Sequence, residues 1–121
     1  MNTRDPRLDE HHALVDALQR SLGEGTERIE THISTLLLAG GFAYKLRKPL
    51  ALGFLDFSTA GRRRADCEEE LRLNRRTAPQ LYLDVLPVFG PAAQARFGRA
   101  DEAGEPIDWL LRMRRFDNDG L

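Results

Sequence analysis

The stretch Ala43-Tyr44-Lys45-Leu46-Arg47-Lys48-Pro49, read with Cys67-Glu68-Glu69-Glu70-Leu71-Arg72-Leu73-Asn74, decides how this chain folds. The first places a lysine inside a short apolar run that Pro49 closes, the mark of a strand. Side chains alternate along a strand, so Lys45 faces away from its large apolar neighbours Tyr44 and Leu46. The second sets an acidic cluster on the helix expected next, with Glu70 25 residues beyond Lys45. A glutamate at the edge of that helix could reach the strand lysine and orient it toward phosphate oxygens. The ammonium supplies a compact charge on a flexible stem.

Ser58 reads as the N-cap of that helix, which spans roughly residues 59–77, and Pro79 stops it. Gly61 weakens its first turn by up to ~1 kcal/mol relative to alanine. Glu70 has Cys67 three residues back and Leu73 and Asn74 three and four ahead, so it borders the apolar edge. Glu69 has Arg72 and Leu73 ahead and suits surface pairs worth a few tenths of a kcal/mol. Glu70 is therefore favoured over Glu69 as the partner of Lys45, and Glu68 only solvates the helix.

Upstream, residues 27–38 and 42–46 read as two strands joined by Ala39-Gly40-Gly41, a hairpin signal because glycine takes positive φ freely. Residues 50–57 are apolar and loop-like around Gly53. Before them, residues 6–22 repeat apolar side chains at helical steps: Leu8, His11 or His12, Val15, Leu18 and Leu22. Asp5 and Pro6 suit the start of this helix, and Gly23-Glu24-Gly25 its end. Three further strands are expected at 81–88, 94–99 and 107–115, the last two forming a hairpin across the polar turn 100–106. The fold class is α+β with a largely antiparallel sheet, in one domain.

At 121 residues the chain suits one modest core. Its 41% hydrophobic and 31% charged residues exclude disordered and fibrous classes, and a net charge of −1 predicts no general affinity for nucleic acid or membrane. No apolar run approaches the ~20 residues of a membrane span, and Met1 to Pro6 lack the apolar core of a signal peptide. The single cysteine, Cys67, excludes an internal disulfide and offers no metal spacing. His32 has no Cys, Asp or second His at ligand spacing, so no metal site is expected. These features fit a cytoplasmic protein.

In Thr31-His32-Ile33-Ser34-Thr35, closely spaced hydroxyls and backbone N–H groups suit phosphate oxygens, and equally suit a polar start to a strand. Arg62-Arg63-Arg64, with Arg72, Arg75 and Arg76, is interleaved with Asp66 and three glutamates and reads as a solvated helix face rather than a nucleic-acid patch. Trp109 to Phe116 run as a strand into Asp117-Asn118-Asp119-Gly120. That transition suits a hinge between two lobes, or a core strand with a frayed end.

Together, Thr31 to Ser34, Ala43 to Leu46 with Lys48-Pro49, residues 53–58, 67–76, Ala78-Pro79 with Leu81-Tyr82-Leu83, and Met113-Arg114-Arg115-Phe116 closely resemble one group. These are the bacterial aminoglycoside-phosphotransferase-like proteins, in which a P-loop ATP-binding domain follows a kinase-like domain. The likeness covers about residues 27–119. It implies a kinase-like N-terminal lobe, a twisted antiparallel sheet with one glutamate-bearing helix, here with an extra N-terminal helix over 5–23. By resemblance, ATP is the ligand, Lys45 matches its phosphate-binding lysine and Glu70 the helix glutamate. Thr31 and Ser34 bound the phosphate-covering loop, and the backbone of Arg115 and Phe116 matches the adenine-contacting hinge. Gly41 and Gly61 depart from the group's usual residues at structural positions only.

Kinase-like transfer also needs a catalytic-loop aspartate, plus an Asn and an Asp for Mg²⁺. No His-x-Asp and no Gly-x-x-x-x-Gly-Lys-Ser/Thr occurs here. The expectation is therefore a phosphotransferase-like N-terminal lobe, truncated before its catalytic lobe and inactive alone, with no catalytic residue of its own. The alternative is a non-enzymatic interaction or regulatory module. In either case the exposed lower face would be covered by a C-terminal lobe or a second copy.

Overall fold

The computed structural model describes residues 5–115. Asp5 starts helix α1 (Pro6–Leu22): its carboxylate accepts the Arg7 N–H at 2.9 Å, and Pro6 takes the first helical position. The helical repeat buries His11, Leu14, Val15, Ala17 and Leu18 on one stripe.

The single strand expected over 27–38 is corrected to two, β1 (Glu27–Glu30) and β2 (Ser34–Ala39), which pair antiparallel from Glu27↔Leu38 to Glu30↔Thr35. Thr31 makes the reversal. Its N–H donates to the Ser34 carbonyl at 2.9 Å, and the Ser34 N–H donates to its hydroxyl at 3.0 Å, a side-chain turn that competes with continued strand. Strand β3 (Phe42–Arg47) follows a two-residue loop in which Gly40 takes φ 58° and Ala39 pairs with Phe42. The loop-like segment contains a small hairpin of β4 (Ala51–Leu52) and β5 (Leu55–Asp56), turned at Gly53 with φ 48° and presenting Phe54 to solvent.

Helix α2 (Ala60–Arg75) is capped by Thr59, whose hydroxyl accepts the Arg62 N–H at 3.2 Å. Ser58, the expected cap, is instead bound to the Asp56 carboxylate at 2.6 Å. The remaining strands are β6 (Tyr82–Phe89), β7 (Arg96–Phe97) and β8 (Asp108–Arg114).

The expected hairpin between 94–99 and 107–115 does not form. After β6 the chain turns through Gly90, Pro91 and a 3₁₀ turn (Ala92–Gln94), and β7 returns along β6 with Val88↔Phe97. Residues 100–106 then cross to the other side of β6, and β8 inserts between β3 and β6. The six-stranded antiparallel sheet runs β1-β2-β3-β8-β6-β7. The cause is apolar content: Leu110 and Leu111 of β8 are fully buried and belong mid-sheet, whereas β7 contributes two residues to an edge.

Registers define the two faces. Thr35, Leu37, Tyr44, Leu46, Leu86, Val88 and Leu110 face outward to α1, the 3₁₀ turn and the main apolar core. Leu36, Ala43, Lys45, Arg47, Leu111 and Met113 share the inner face, which α2 crosses over β8 and β6. No helix among the described residues is long and apolar enough to cross a membrane.

Candidate functional site

Pairing of Leu36 and Leu111 with Lys45 sets the lysine at the centre of the inner face, between two apolar side chains. Its Nζ donates to both carboxylate oxygens of Glu70, each at 3.2 Å. Glu69 lies outside this contact and pairs with Arg72 on the helix surface. The Lys45 and Glu70 side chains keep 29% and 19% of their exposure, so solvent reaches the pair. By register Leu36, Ala43, Leu111 and Met113 share its face; Leu36 and Met113 are half-buried there, and Ala43 and Leu111 are buried. The arrangement is an accessible cation oriented by a carboxylate beside an apolar platform, suited to an anion carrying a flat apolar group.

Sequence reasoning passed over Arg47. It stands two residues beyond Lys45 on the same face and is buried. Its Nε donates to Asp66 at 2.8 Å, Nη1 reaches the Cys67 sulfur at 3.3 Å, and Nη2 is bonded to Glu70. The alternation that placed Lys45 could have found it. Burial pushes the Cys67 thiol up to about 12, against the nearby Arg47 guanidinium.

The Thr31 and Ser34 hydroxyls lie 2.6 Å apart and are spent on each other, and Ser34 is buried. Among these turn residues, His32 is exposed and Ile33 half-buried. Arg115 is exposed. Its N–H donates to the Gly41 carbonyl at 2.7 Å, and its guanidinium pairs with Glu27 at 2.7 Å. It sits four residues past Leu111, the register partner of Lys45, or about 13 Å along the strand. Phe116 and the hinge expected at 117–120 lie outside the described residues.

A polar chain braces the turn from the outer face. Thr35 donates its one hydroxyl proton to Glu30 at 2.9 Å, so it accepts from His11 Nε2 at 3.0 Å. His11 Nδ1 is then the bare nitrogen, and among the described residues it has no hydrogen-bond partner. Burial, helped by the neighbouring His12, pushes His11 down to about 4. Partial burial opposes the Glu30 charge, but hydrogen bonds from Arg28, Thr35 and Lys48 hold that carboxyl down at about 2. Lys48 pairs with Glu30 at 3.2 Å and donates to the Thr31 carbonyl at 2.6 Å, which ties the turn to β3.

The arginine run is not uniformly solvated. Arg62 and Arg64 are exposed, but Arg63 is buried and donates to Asp108 at 2.8 Å and to the Phe57 carbonyl at 2.8 Å. Burial raises the pKa of Asp108 against the opposing pull of Arg63. Among the described residues, no group of three or more His, Cys, Asp or Glu is arranged to hold a metal ion.

Fold and site together define an α+β protein with an antiparallel sheet whose inner face carries an oriented lysine–glutamate pair. Over 85 residues the chain is 41% identical to the uncharacterized protein Rv2004c of Mycobacterium tuberculosis (strain H37Rv) and to the uncharacterized protein Mb2027c of Mycobacterium bovis. The match covers 70% of this chain and 16% of each relative, so the chain spans only a small part of their length. No family model matches the chain, and no solved structure matches it.

Proposed function

We propose that this chain is the nucleotide-phosphate-binding part of an aminoglycoside-phosphotransferase-like small-molecule kinase. Lys45 holds the α- and β-phosphates of ATP, Glu70 orients Lys45, and the half-buried Leu36 and Met113 on the same face receive the base. The observation that carries this reading is the two-pronged contact of Lys45 Nζ with Glu70, with both side chains partly open to solvent. The 13 Å or so of strand from Leu111 to Arg115 is on the scale of a nucleoside triphosphate. Phosphoryl transfer needs further groups to orient the acceptor and hold Mg²⁺, and we assign none of those roles within this chain. The acceptor is a small hydroxylated molecule, and the class name does not make it an antibiotic.

The test is titration of the protein as encoded with a non-hydrolysable ATP analogue. Lys45→Ala abolishes binding and leaves the far-ultraviolet circular dichroism unchanged. Unaltered affinity in that variant would remove Lys45 from the proposal.

A second reading, a module that docks a separate lobe or a second copy, draws on Ile29 and Leu73. Ile29 shares the inner face with Leu36, Leu73 lies on α2, and they remain 43% and 46% exposed. A chain that ignores the ATP analogue yet self-associates in light scattering favours this reading over the first.

A further inference from the structure

Lys45 is not the sole cation on Glu70, and the two cations differ in freedom. The Lys45 side chain keeps 29% of its exposure, whereas that of Arg47 keeps 4%. Asp66 and Glu70 stand four residues apart, one above the other on one face of α2. The Arg47 fork spans both, with Nε on Asp66 and Nη2 on Glu70, while Nη1 reaches the Cys67 sulfur between them. A rigid planar guanidinium can hold two carboxylates at once in a way that a single ammonium cannot.

Helix α2 has little apolar grip to do this work instead. Of its 16 residues only Arg63 and Cys67 are buried, and Leu73 is 46% exposed.

We propose that Arg47 is the positioning residue that pins Glu70 and α2 to β3, leaving Lys45 as the movable cation of the two on Glu70. The proposal rests on the reading of Lys45 as a phosphate anchor. When Lys45 swings onto an anion, Glu70 keeps the Arg47 guanidinium, so no half-buried carboxylate is stranded. The helix therefore stays docked whether or not the lysine is engaged. Geometry at the anion site is set before the ligand arrives, and only one flexible side chain must be ordered on binding.

The experiment compares the full chain with Lys45→Met, Arg47→Met and Arg47→Lys by amide hydrogen exchange over residues 64–73 and by titration with a non-hydrolysable ATP analogue. Lys45→Met loses the analogue but leaves α2 protection at the wild-type level. Arg47→Met exchanges about tenfold faster across α2, and Arg47→Lys, which reaches one carboxylate, lies between. Analogue affinity weakens in the same order for the Arg47 variants.

If Arg47→Met does not fold, Arg47→Lys and Asp66→Asn carry the comparison, and both show faster α2 exchange. Wild-type α2 protection in the folded Arg47 variants, or equal loosening in Lys45→Met, overturns the proposal. If the wild-type chain does not bind the analogue, the phosphate reading fails, and the exchange data still decide the role of Arg47.

Discussion

His11 makes the stability of this protein fall with acid well before most carboxylates titrate. The ring is 3% exposed, donates from Nε2 to Thr35, and has a bare Nδ1 with no protein partner among the described residues. Protonating it buries a charge with no acceptor at Nδ1, which is why its value lies at about 4 rather than 6.5. The unfolded chain binds this proton first, so stability is complete above pH 6.5 and drains away as pH falls toward 4. At 1.36 kcal/mol per unit, the loss is about 2 kcal/mol by pH 5 and about 3 kcal/mol by pH 4. Urea unfolding at intervals from pH 7.5 to 5 reads this directly.

His11→Gln is the comparison, because its amide can still donate to Thr35 but cannot take up the proton. The variant starts about 1 kcal/mol less stable at pH 7.5, for a poorer fit and an imperfect hydrogen bond. Its curve is flatter, crosses that of the wild type at about pH 6, and leaves the variant about 1 kcal/mol the more stable at pH 5. Parallel curves for wild type and variant would refute the assignment of a buried neutral imidazole.

The Arg63–Asp108 pair lies under the N-terminal turn of α2, and Arg63→Met, which strands the Asp108 carboxylate, costs about 3–5 kcal/mol in urea unfolding. Arg63→Met combined with Asp108→Val costs clearly less than the single change, and an equal or larger cost would contradict the buried-charge explanation. Cys67, fully buried with its thiol pushed up to about 12, resists iodoacetamide in the native protein at pH 8 and reacts fully in urea. Rapid native-state labelling would place the thiol outside the core.

Much of the fold was legible because its strongest signals are local. Asp5-Pro6 and the helical repeat through Leu18 lead to α1, and Gly40-Gly41 lies between strands that pair as expected. The edge position of Glu70 on the α2 pattern separated it from Glu69, and the structure brings Glu70 to Lys45.

What escaped the sequence depends on partners distant along the chain. The 27–38 run hides its reversal because Thr31 turns the chain through its own hydroxyl, with no glycine or proline to mark the place. The 94–115 segment reads as a hairpin by spacing, but the apolar content of β8 sends it past β6 to the sheet's middle. Arg47 and Arg63 look like surface residues until Asp66, Glu70 and Asp108 arrive from other elements to neutralise them.

The placement of α1 bears on where this folding unit begins. A boundary drawn at the first strand, β1, would leave the helix out. Yet Leu14, Val15, Ala17 and Leu18 are part of the same buried cluster as Leu37, Leu46, Val88 and Leu110. Removing residues 5–23 would open the back of the sheet to water and take His11 from the brace behind the Thr31 turn. The unit that packs as one core therefore includes α1 together with the sheet it covers.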